Sequence, residues 1–107
     1  MTAVLEVVRE EHLFFVDSRT IADTVGFSLA RALGVPTAER QVFVDHDPDP
    51  SAIRRALETL EATARERSTA LGICHPLMAS MEAVAAWLPA ATKRGFEMVP
   101  VSAIVGR

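Results

Sequence analysis

Asp17, Ser18 and Arg19 follow directly on the apolar run Leu13, Phe14, Phe15 and Val16. A buried strand ending there would hand a carboxylate, a hydroxyl and a guanidinium to one point, where the acid can serve as a base, a metal ligand or one half of a charge-assisted pair. The same device recurs twice. Val42, Phe43 and Val44 lead into Asp45 and His46, and the run from Ala70 to Ile73 leads through Cys74 into His75. An imidazole at a strand end can accept a proton, donate one, or bind a metal.

Each of these residues has a plainer use. Asp17, Ser18 or Thr20 is also what a helix N-cap requires. His75 precedes Pro76, and a helix opening at that proline would make the imidazole a polar cap. His46 lies among Asp45, Asp47 and Asp49, a set that could hold a divalent cation, yet Pro48 and Pro50 account for the segment as a solvated turn. Cys74 beside His75 invites a thiolate nucleophile, but neighbours in an extended strand point to opposite faces, so a small buried residue is the expectation. Met78, Met81 and Trp87 read as packing residues, and His12 is isolated.

The elements that would position these groups can be read from periodicity. Val4, Leu5, Val7 and Val8 predict an N-terminal helix. Thr20 opens a second, with Thr20 and Asp23 spaced as a capping box, Ile21, Val25, Leu29 and Leu33 recurring every four residues, and Gly34 and Pro36 as its stop. Arg40 to Asp45 reads as a strand. Asp49 as N-cap and Pro50 at the first helical position open a third helix with Ile53, Leu57, Leu60 and Ala64 inward and Arg54, Arg55, Glu58, Glu61 and Arg65 elsewhere. A fourth would begin at Pro76, carry Leu77, Met81, Val84 and Leu88 on one face, and be interrupted at Pro89. Residues 96–101 read as a last strand.

Strands alternating with helices predict an α/β fold with a parallel sheet, whose strand ends carry the polar residues. The 107 residues are expected to form one domain over 1–107. A net charge of −3, with cations interleaved among acids, argues against nucleic acid as a partner. No apolar run approaches the ~20 residues of a membrane span, and no export signal is read at Met1. The single cysteine excludes an internal disulfide. There is no glycine-rich phosphate loop, GxSxG elbow or HExxH pair.

Three segments taken in order, Phe14-Phe15-Val16-Asp17-Ser18-Arg19-Thr20, then Pro36-Thr37-Ala38-Glu39-Arg40-Gln41-Val42-Phe43-Val44-Asp45, then Gly72-Ile73-Cys74-His75-Pro76, resemble the divergent polysaccharide deacetylases. The resemblance runs on to Val99-Pro100-Val101-Ser102. It implies kinship with carbohydrate esterases of the nodulation-deacetylase type, whose fold is a distorted β/α barrel and whose active members use a metal-bound water to remove acetyl groups from sugar amides. The expected fold is a partial (half) β/α barrel with about four parallel strands alternating with helices.

By the same resemblance, His75 protonates the leaving amine and Asp17 joins it as a catalytic residue, with Asp17 and Arg19 orienting the ring. The resemblance puts Asp17, Ser18 and Arg19 on the pocket floor, and Ser18 and Arg19, with the strand-end residues Asp45 and His46, are the expected carbohydrate contacts. The family's paired aspartates and Asn-Asn-His segment have no counterpart in this sequence. No metal ligand is therefore assigned to this chain, and a divalent metal such as zinc is implied for a full-length relative. The chain is expected to be inactive alone, to pair with itself or with a metal-binding half, and by analogy to be periplasmic or secreted. The alternative is a non-catalytic α/β binding or interaction module that self-associates.

Overall fold

A computed structural model describes residues 2–19 and 25–105. The chain divides into two compact units, Met1–Arg40 with Val99–Arg107, and Gln41–Met98. Among the described residues each is an α/β assembly built on one parallel strand pair.

In the first unit, helix α1 (Thr2–Glu10) places Leu5, fully buried, against Ala30 and Val35, with Val8, Phe15, Leu29 and Leu33 packed around them. Strand β1 (Phe15–Asp17) lies parallel to β2 (Thr37–Glu39), pairing Phe15 with Thr37 and Asp17 with Glu39. Between them runs α2 (Gly26–Ala32). Thr20, Ile21 and Asp23, and with them the expected capping box, lie outside the described residues. Gly34 stops α2 as expected: at φ 73° its N–H bonds to the Arg31 carbonyl and that of Val35 to Ala30, the paired bonds of a Schellman cap. His12, at φ 58°, ends α1 by the same pattern through Arg9 and Val8.

The second unit pairs β3 (Val42–Phe43) with β4 (Gly72–Ile73), again in parallel, with Val42 opposite Gly72 and Phe43 opposite Ile73. Helix α3 (Pro50–Arg67) opens as its sequence dictates, with the Asp49 carboxylate accepting from the Ser51 N–H. Val42, Val44, Ile53 and Leu57 form the core, flanked by Leu60 and by Ala79, Ala83, Val84 and Trp87 of α4 (Met78–Lys93). Glu61, expected outside, is buried and paired with Arg94 at 2.8 Å.

Several expectations are corrected. Among the described residues the strands form two parallel two-stranded sheets, and one strand, β2, falls in a segment with no apolar run to announce it. Residues 96–101 form no strand. Gly95 at φ 96° closes α4, the Phe96 N–H returns to the Ala91 carbonyl, and Pro100 cannot donate to a ladder. Helix α4 starts after Leu77 rather than at Pro76 and continues through Pro89 to Lys93. Its packed face is Ala79, Ala83, Val84 and Trp87, so Val84 and Trp87 pack as expected while Met78 (75% exposed) and Met81 (52% exposed) face outward.

Candidate functional site

The parallel register of β3 and β4 holds partners at a constant separation of thirty residues. Phe43 faces Ile73, the Val44 N–H continues the ladder to the Ile73 carbonyl at 2.8 Å, and the next pair to meet is Asp45 and His75. Asp45 Oδ2 accepts the His75 backbone N–H at 2.6 Å, while Oδ1 lies 3.0 Å from the ring Nδ1. One carboxylate therefore grips both the backbone and the ring of the same histidine.

Asp45 is buried, yet its pKa is lowered. Burial alone would raise it, but hydrogen bonds from the Ser80 hydroxyl, the His75 ring and the His75 N–H, with the His75 charge, outweigh that cost. The carboxylate is thus ionised at neutral pH and can only accept, so Nδ1 carries the proton and donates. That leaves Nε2 of a ring whose side chain is 60% exposed as the atom free for chemistry. Phe43 packs against this ring at a centroid distance of 5.4 Å and against that of His46 at 5.6 Å.

Because α4 begins at Met78, His75 is no N-cap. Cys74 is exposed rather than buried, and its thiol is pushed up by partial burial and then by the Asp45 charge, the reverse of what a thiolate nucleophile needs. In the 46–49 turn, Asp47 accepts the Asp49 N–H at 3.0 Å and Asp49 caps α3. Among the described residues no three His, Cys, Asp or Glu side chains gather to hold a metal ion. With both Asp45 oxygens engaged by protein donors, the described residues do not fit a metal.

In the first unit, Asp17 Oδ1 accepts the Arg19 N–H at 2.9 Å and Oδ2 accepts the Phe27 N–H at 3.1 Å. The second bond satisfies an amide in the first turn of α2, which its own N-cap, Val25, leaves without a side-chain partner. Arg19, at φ 52°, pairs with Glu39 at 2.7 Å, and the Arg40 guanidinium binds the carbonyls of Ser18 and Arg19. Ser18 is exposed.

The carboxylate on His75 is therefore Asp45, which the sequence offered as a carbohydrate contact. Ser80, Glu39, Arg40 and Phe43 went unnoticed as members of these networks. For Glu39 and Arg40 the available signal was a charged pair closing the segment after α2. Ser80 offered only a hydroxyl among alanines on an apolar helix.

Residues 1–105 match the family model described as divergent polysaccharide deacetylase. The chain belongs to that family. Its similarity extends to an uncharacterized protein of Haemophilus influenzae, 34% identical over 71% of this chain, and to the uncharacterized protein YibQ of Escherichia coli K12, 30% identical over 71% of this chain. These stretches are 27% and 24% of the two relatives' lengths, so this family member spans about a quarter of the curated relatives it matches. The crystal structure of the uncharacterized protein ATU2773 from Agrobacterium tumefaciens C58 superposes with a TM-score of 0.88 at 30% identity, covering 98% of this chain and 44% of that one.

Proposed function

We propose that this member of the divergent polysaccharide deacetylase family carries the acid–base part of a carbohydrate deacetylase site, with His75 as general acid. The observation behind the reading is the buried, ionised Asp45 on Nδ1, which leaves Nε2 exposed to a substrate. In amide hydrolysis the protonated ring would release its Nε2 proton to the amine nitrogen as the C–N bond breaks and water supplies the acyl oxygen. Asp45 offsets the imidazolium charge at no cost in reorganisation, because it is already fixed by its other donors.

His46, beside Phe43, and the Ser18 and Arg19 turn of the first unit are read as sugar contacts. Asp17 is read as holding that turn, and the two strand pairs as portions of a β/α barrel. Since these residues do not fit a metal, activation of the attacking water is left to a complementary segment, and the chain alone is expected to bind N-acetylated sugar without releasing acetate. Export to the periplasm or beyond is part of this reading through family kinship.

Titration of the 15N-labelled chain with N-acetylglucosamine oligomers tests it. The expected result is movement of the His75 ring signals, lost in His75→Ala, with no acetate released at any zinc concentration. Stoichiometric tight zinc together with acetate release that survives His75→Ala would sink the reading.

One observation favours a second role. Leu77, Met78, Met81 and Leu88 leave an exposed apolar stripe along α4, which a second copy of the chain could cover. Light scattering across a concentration series should then show dimers that Met81→Lys dissociates, and a monomer at all concentrations would exclude this role.

A further inference from the structure

Ser80 has no exposed surface and lies at the third position of α4, with its hydroxyl 2.7 Å from Asp45 Oδ2. Oδ2 is also the oxygen that takes the His75 backbone N–H, so this one atom collects two donors while Oδ1 is left to the ring. A carboxylate turns freely about its last bond unless its oxygens are held. Here a turn of the carboxylate out of its present plane must break the bond to the Ser80 hydroxyl, and the Asp45 side chain has no exposed surface at which solvent could replace it.

We propose that Ser80 is a positioning residue: through Asp45 it fixes the tautomer and direction of the His75 ring. The inference rests on the general-acid reading for its catalytic meaning, though not for its test. The chain of contact is Ser80 Oγ to Asp45 Oδ2, Asp45 Oδ1 to His75 Nδ1, and then Nε2 to substrate. It resembles the way outer hydrogen bonds orient an imidazole whose other nitrogen does the chemistry. A free histidine side chain in water favours the proton on Nε2, so the opposite tautomer has to be imposed, and Asp45 imposes it only while its plane is set. From α4, Ser80 is the residue that donates to Oδ2.

Long-range 15N–1H correlation spectra of the His75 ring read the tautomer directly, without any substrate. Wild type should show a single Nδ1–H pattern. Ser80→Ala should lose it, giving averaged ring nitrogens, and Ser80→Thr, which restores a hydroxyl, should recover it. Ser80→Cys keeps the volume with a weaker donor and guards against a folding failure of the alanine variant; it should fall between the two. Wild-type ring signals in Ser80→Ala or Ser80→Cys, whatever the change in melting temperature, would overturn the proposal by showing a merely structural serine. If the tautomer responds as stated but sugar oligomers never perturb His75, the positioning role stands and the general-acid reading falls.

Discussion

Asp45 accepts hydrogen bonds from both the backbone N–H and the ring Nδ1 of His75, two residues beyond the last rung of a parallel strand pair. The position of the histidine and its tautomer thus depend on the same side chain.

Asp45→Asn makes that dependence measurable. The amide keeps one oxygen for the His75 N–H and Ser80 but turns an NH2 toward Nδ1, which must then accept, so the ring proton moves to Nε2. Ring 15N shifts should report the inverted tautomer. With one charged acceptor removed from a buried network, unfolding in urea should show a loss of roughly 1–3 kcal/mol. A wild-type ring already protonated on Nε2 would show that Nδ1 was never the donor, and an Nδ1–H ring kept in Asp45→Asn would show that the carboxylate does not decide the tautomer.

Acid should weaken the fold through the same residue. The Asp45 carboxyl is lowered in the folded chain relative to its ordinary value, so between the folded value and about 3.9, where an unfolded Asp titrates, the unfolded chain binds more protons. Stability from this group is fully present above that window and is lost as pH falls through it. The exposed Asp49, lowered first by its Ser51 hydroxyl bond, acts in the same direction. Urea midpoints from pH 6 down to the acid limit should fall, and Asp45→Asn should flatten the slope. An equal slope in both proteins would assign the acid sensitivity to other carboxylates.

What could be read from sequence was what local chemistry decides. Asp49 and Pro50 start α3 because an acceptor and a preset φ suffice, and Gly34 ends α2 because φ 73° disfavours side chains. What could not was set by register. Asp45 meets His75 only because Phe43 lies opposite Ile73, and no spacing within either segment encodes that pairing. The buried face of α4 was misjudged because alanines fit tightly against α3, leaving the larger Met78 and Met81 outside. Ser80 could not be found at all, since its partner lies thirty-five residues away.

The core of the second unit should respond to truncation as a close-packed interior does. Leu57 is 3% exposed and sits among Val42, Val44 and Ile53. Leu57→Ala should destabilise by roughly 2–5 kcal/mol in chemical unfolding, the range for a buried leucine whose neighbours cannot collapse into the gap. A loss below about 1 kcal/mol would mean that α3 can settle into the cavity.

Gly26→Ala tests the role of Asp17 without touching it. A Cβ at Gly26 would stand 3.0 Å from Phe15 Cζ and 3.2 Å from Asp17 Oδ2. The Phe15 ring packs against the cluster of Leu5, Ala30 and Val35, so it has little room to retreat and the carboxylate is the group that moves. Alanine gains up to about 1 kcal/mol over glycine within a helix, while losing a side-chain cap costs about 0.5–2 kcal/mol, and the crowding adds to the loss. The net expectation is a destabilisation on the order of 1 kcal/mol. Hydrogen exchange gives the sharper measurement: the Phe27 amide, which donates to Asp17 at 3.1 Å, should exchange faster in the variant. Unchanged Phe27 protection together with a more stable protein would show that Asp17 does not cap α2.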